Sequence, residues 1–236
     1  SLDRTRSSVR STPSFSSGQL PLSVQSHSRM ADDRPEPGTL ERLERAEQLK
    51  LAGKYREALV ILEQLLLEDP ENISALEEIA DNELSLGHFQ RAEAAGKRAV
   101  SLYEGSYMGH YILGFLHSRG EDWTHAVQSL RRANTLKANN PEILRCLGWA
   151  LFCGGQRAQG IVTLERALNL DNESMLTLCD LGVAYLQLQN FTKARSLFLR
   201  ALDLEPDNPR ARECLQAVDR LAKLAQRSVR QQKVTR

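Results

Sequence analysis

A 34-residue period runs through this chain and leaves it few folds to adopt. Starting at Thr39, five registers follow without insertion or deletion: 39–72, 73–106, 107–140, 141–174 and 175–208. A period of this length marks supersecondary units that cannot bury an apolar face alone and must stack on their neighbours. Equivalent positions agree in chemistry. A small residue recurs as Ala46, Ala80, Gly114, Gly148 and Gly182, and another as Ala58, Ala92, Ala126, Gly160 and Ala194, where close approach of two helices would need it. An aromatic recurs as Tyr55, Phe89, Trp123 and Phe191, with Arg157 as the exception, and is expected to wedge between helices as core.

Turn chemistry divides each register in two. Gly53, Gly87, Gly155 and the Gln189-Asn190 pair lie near the middle, where a residue of positive φ can end a helix. Pro70, Pro206, Asn72, Asn140 and Asn208 punctuate the ends. Between these breakers the apolar residues are spaced by three and four, as in Leu59, Leu62, Leu65, Leu66 and in Leu178, Leu181, Tyr185, Leu188. Each register is therefore a predicted helical hairpin, and the chain is all-α.

These features resemble the tetratricopeptide repeat family, most clearly in Leu181-Gly182-Val183-Ala184-Tyr185 followed by Phe191, Ala194, Phe198, Ala201 and Pro206. The resemblance covers residues 39–208. It implies a right-handed superhelical solenoid of helix-turn-helix repeats, with the first helix of each pair lining a concave groove that binds a protein or peptide. The second repeat departs from the pattern with Gly96 and a proline-free Tyr103-Glu104-Gly105-Ser106 end, and the fourth with Arg157. From Arg210 a single amphipathic helix carries Cys214, Leu215, Val218, Leu221, Ala222 and Ala225 on one face, so residues 209–236 read as a capping helix and basic tail.

Composition narrows the class. No stretch approaches the roughly 20 apolar residues of a membrane-spanning helix. Four scattered cysteines without a Cys-x-x-Cys pair fit reduced thiols in a cytoplasmic protein. Residues 1–38 lack helical periodicity and are expected to be disordered; the first 30 are rich in Ser and Arg with Asp3 as their one acid. Whether residues 1–29 are native, a transit segment or a leader before a start at Met30 stays open.

Stacking equivalent first-helix positions reads out the expected groove. One ladder is Glu47, Asp81, Phe115, Trp149 and Val183; a second is Glu77, Tyr111, Arg145 and Cys179; a third contains Lys50, Leu84, Ser118, Phe152 and Leu186. The groove is thus acidic at its N-terminal end and apolar from the third repeat on. Residues 39–106 carry a net charge of −6 and residues 107–236 carry +6. A partner with apolar anchors and basic residues at one end would bind in one direction.

The family's carboxylate clamp for chaperone C-terminal acids is not matched, since Leu43, Glu47, Glu78, Met108 and Ile112 stand at the corresponding positions. The groove chemistry is more similar to that of bacterial chaperones holding apolar segments. No phosphate loop, metalloprotease motif or nucleophile–base pair is present, so neither catalysis, a small-molecule substrate nor a cofactor is expected. His110 and His117 occupy core-type positions rather than a metal site. The basic C-terminal stripe lacks interleaved aromatics, so nucleic acid is not an expected partner. The reading is an interaction scaffold or adaptor, chaperone-like in groove chemistry. Self-association through a neighbour's terminal helix and substrate delivery within an enzyme complex are the alternatives.

Overall fold

The computed structural model describes the backbone of residues 38–234 and the side chains of residues 38–227. The expected disorder of the N-terminal segment falls on residues 1–37, outside those described. Among the described residues all regular structure is helical, in eleven α-helices. These are α1 (Thr39–Leu51), α2 (Tyr55–Glu68), α3 (Ile73–Ser85), α4 (Phe89–Leu102), α5 (Tyr107–Arg119), α6 (Trp123–Leu136), α7 (Pro141–Cys153), α8 (Arg157–Leu170), α9 (Met175–Gln187), α10 (Phe191–Leu204) and α11 (Pro209–Val234). First helices begin 34 residues apart from Thr39 to Pro209, and second helices 34 apart from Tyr55 to Phe191.

Local chemistry sets these limits. The side chains of Asn72, Ser106, Asn140 and Ser174 each accept a hydrogen bond from the backbone N–H three residues on, satisfying a free donor at a helix start. Each first helix ends on one residue in the left-handed region: Gly53, Gly87, Glu121, Gly155 or Gln189. The next residue then donates its N–H to the carbonyl five back, as from Lys54 to Leu49 and from Asn190 to Tyr185. In the third pair Gly120 comes one position early, with ordinary φ, and Glu121 takes φ 59° instead.

The small-residue ladders mark where helices touch. A Cβ on Gly114 would stand 2.5 Å from Leu130 Cγ, one on Gly148 2.7 Å from Leu164 Cγ, and one on Gly182 2.7 Å from the Phe198 ring. The missing side chain on one helix makes room for the large one on its partner, and Leu130, Leu164 and Phe198 are fully buried there. Each such burial contributes on the order of 2 kcal/mol. The Gly96 departure has the reverse arrangement: its space is shared with Ile112 and Leu113 of the next pair.

The recurring aromatic is not full core. Tyr55, Phe89, Trp123 and Phe191 are half-buried, and two of them reach the following repeat. The Arg119 guanidinium lies 3.9 Å over the Phe89 ring, and Trp123 abuts the turn at Gly154. His110 and His117 are also half-exposed, with the His117 ring 5.3 Å from that of His125. A second ladder runs along the outside. Arg98, Arg132, Arg166 and Arg200, 34 residues apart, reach back to Pro70, Glu104, Asn139 and Asn172 in the preceding repeat's connector.

Curvature follows from which helices meet. The backbones of successive first helices approach one another from α1 to α11, whereas those of successive second helices do not. First helices therefore lie on the inside of the curve. α11 packs on α9 and α10 in the position of a further first helix, with Ala211 and Val218 fully buried.

Candidate peptide-binding groove

The inner face is built from the side of each first helix opposite its paired second helix. Phe115 and Trp149, one repeat apart, are both half-buried on it. Tyr111 is half-buried one turn before Phe115, with ring centroids 6.5 Å apart. Val183 and Leu186 continue the apolar surface onto α9, half-buried against the C-terminal core. A pocket of about 230 Å³ opens between α5 and α7, lined by Tyr111, Met108 and Ile143 with Asp81 and Glu142.

Two residues read as groove-facing lie beneath that surface. Phe152 is 2% exposed and Cys179 3% exposed, and both belong to the C-terminal core. Successive first helices converge here, so α9 covers the α7 side chain nearest to it; Phe152 instead supports Trp149 from below, rings 6.2 Å apart and nearly parallel. Ile112, read as a clamp-equivalent position, is also fully buried.

The charged groove positions are engaged with one another. Lys50 donates to Glu78 at 2.7 Å and Asp81 at 3.0 Å, and although burial opposes its charge, these carboxylates hold its pKa above the usual lysine value. Glu77 accepts from the Ser106 hydroxyl at 2.6 Å. Glu47 is exposed. Arg145 forms two hydrogen bonds to Glu142, at 2.9 and 2.6 Å, and one to Asp180 at 2.6 Å.

A polar chain thus crosses four first helices. Tyr111 of α5 donates to Glu142 of α7 at 3.1 Å, Arg145 bridges Glu142 to Asp180 of α9, and Arg210 of α11 approaches Asp180 at 3.5 Å. Burial drives the Tyr111 pKa up, with the negative charge of neighbouring Glu142 adding to it. Burial also raises the Asp180 carboxyl, and Arg145 and Arg210 offset that only in part. Burial works against the Glu142 charge too, but the Arg145 bonds prevail and hold its pKa below the ordinary value. Sequence reasoning found Arg145 but not this role, because Glu142 and Asp180 each look like a solvated acid until the α7–α9 contact is formed.

Among the described residues no group of three or more His, Cys, Asp or Glu is placed to hold a metal ion, and no helix is long and apolar enough to cross a membrane. The fold and this inner face define a helical-repeat scaffold for protein–protein interaction. Two tetratricopeptide repeat family models match, one over residues 43–107 and the other over residues 176–208. These two segments are tetratricopeptide repeats.

Solved structures share the fold. A thermophilic tetratricopeptide repeat protein from Thermus thermophilus aligns with a TM-score of 0.61 and 23% identity over 76% of this chain and 97% of its own. YrrB, a TPR protein with an unusual peptide-binding site, aligns at 0.57 and 20% identity over 76% and 92%. Among curated proteins, the Pseudomonas aeruginosa cytochrome c-type biogenesis protein CycH is 31% identical over 51% of this chain and 30% of its own length. Human protein O-mannosyl-transferase TMTC1 is 25% identical over 74% of this chain and 20% of its own length. The chain thus spans less than a third of either curated relative.

Proposed function

We propose that this chain is a non-catalytic, cytoplasmic adaptor that holds an extended or helical segment of another protein against its inner face. The domain organisation that goes with this reading is five repeats over residues 39–208 and a capping helix with a basic tail over 209–236. The observation that carries it is the run of Tyr111, Phe115 and Trp149. Phe115 and Trp149, and the Tyr111 ring whose hydroxyl is bound to Glu142, remain partly exposed on the inside of the curve, while other side chains beside them are sunk in core or tied into ion pairs. Large apolar surface left accessible in a concavity is what partner anchors use.

The occupant this surface favours has two or more apolar or aromatic anchors spaced to match one repeat. Basic residues of the partner would meet the N-terminal half, where Glu47 is exposed, and fix its direction. The spanned fraction of TMTC1 is too small to bring its transfer chemistry here, so substrate delivery to a catalytic partner is a secondary reading. A displayed peptide library selected on the wild-type protein tests the proposal. Enrichment of peptides with spaced apolar anchors that compete with one another supports it, and recovery only of peptides that still bind Phe115→Ala/Trp149→Ala would refute it.

A further inference from the structure

A cleft of about 1010 Å³ lies away from the inner face, between α10 and α11. We propose that this cleft receives α11 of a second copy of the chain, running antiparallel to the α11 that forms its wall. The first half of α11 buries Ala211 and Val218 in the last core. Beyond Val218 the cleft opens, with Phe191 and Leu199 on one wall and Ala222 and Ala225 on the other. Leu221 and Leu224 of α11 are 45% and 58% exposed.

The described chain does not fill the cleft itself. Lys223 is 34 residues after Gln189, the position at which all five preceding pairs turn back through a left-handed residue. Here α11 continues as helix for 26 residues in all, roughly 39 Å against about 21 Å for the 14 residues of α10. More than a turn of apolar helix face is thereby left beside an open groove.

Charge selects the occupant and its direction. Residues 220–236 contain six bases and no acid, while the far end of α10 presents Asp203 and, just past it, Glu205, both exposed; Asp207 beyond them is paired with Arg212 at 2.6 Å. A second α11 laid antiparallel to the first brings its basic half to that acidic end; laid parallel, it would set base beside base. Ala222 and Ala225 are small enough for two helix axes to approach closely. The contact is reciprocal, each α11 entering the other copy's cleft, so it closes as a two-fold dimer. The Arg195–Asp219 ion pair, 3.2 Å, ties the two walls together.

Sedimentation of the full chain tests this between about 1 and 200 µM, with Ala225→Glu and Asp203→Lys as variants and circular dichroism as the check on folding. The expected result is a concentration-dependent dimer whose dissociation constant rises at least roughly tenfold in each variant at unchanged helicity, and which weakens as salt is added. Should Ala225→Glu fail to fold, Asp203→Lys, at an exposed site on α10, decides alone. A wild-type protein monomeric throughout that range, or a dimer that neither variant weakens, would overturn the proposal.

Discussion

Arg145 of α7 and Asp180 of α9, on adjacent first helices, are joined by a 2.6 Å hydrogen bond across the inner face. Both are largely buried, so the pair fixes the angle between adjacent first helices as well as holding charge. Breaking one side of a buried pair leaves the other uncompensated and costs about 3 to 5 kcal/mol. Arg145→Met should therefore lower stability by an amount of that order, read by urea unfolding. Retained stability would show that the chain of polar contacts is decorative.

The two carboxylates of that chain should respond to pH in opposite senses. Asp180 is raised above its ordinary 3.8 by burial, so the folded state holds its proton longer than the unfolded state. Its contribution is fully present below 3.8 and is lost as pH rises through the folded value. Glu142 is held below its ordinary 4.5 by Arg145, despite burial. Its contribution is present above 4.5 and lost as pH falls through the lower folded value. Relative to wild type, Asp180→Asn should gain stability as pH climbs from acid toward neutral, and Glu142→Gln should recover stability as pH drops below 4.5. Unfolding curves across that range check both signs.

Two glycines inside second helices should answer the same substitution differently. A Cβ on Gly160 would stand 2.6 Å from the Phe152 backbone nitrogen and 2.7 Å from the Gly148 carbonyl oxygen, neither of which can rotate away. Gly160→Ala is expected to cost about 3 kcal/mol. At Gly96 the nearest atom would be 3.6 Å away, an ordinary contact, so Gly96→Ala should stabilise by up to about 1 kcal/mol through helix propensity. Thermal unfolding of the pair separates the two cases.

Glu121 holds φ 59° where three of the other four first helices use glycine. Left-handed backbone costs a non-glycine residue about 1 to 2 kcal/mol, and glycine's greater unfolded-state freedom returns part of that. Glu121→Gly should raise stability by up to about 1 kcal/mol. A lowered midpoint would mean that the Glu121 side chain contributes more than its backbone strain costs.

The periodic part of this molecule was legible because similar solutions recur at one spacing: glycine turns, Asn at repeat ends, and small residues opposite Leu130, Leu164 and Phe198; the Ser106 and Ser174 caps emerge only in the structure. The inner face was legible only at its surface positions. Phe115, Trp149 and Tyr111 could be placed by register alone, but Phe152 and Cys179 could not be recognised as buried, because their cover comes from the C-terminal core as a whole and depends on how tightly first helices converge. The engagement of Arg145, Lys50 and Glu77 was hidden for the same reason, their partners lying 28 to 35 residues away. The cleft beside α11 had a faint signal, the absence of a turn residue at Lys223.

The central claim, that half-exposed rings on the inner face anchor a partner, is tested most directly by titrating a peptide selected on the wild-type protein against Phe115→Ala/Trp149→Ala by calorimetry, with urea unfolding alongside. Buried aromatic anchors typically contribute about 2 kcal/mol or more each, so affinity should fall more than roughly tenfold. Each ring lies at the edge of the core rather than within it, so the unfolding midpoint should shift far less than for Gly160→Ala. Undiminished affinity in a folded double variant would contradict the account.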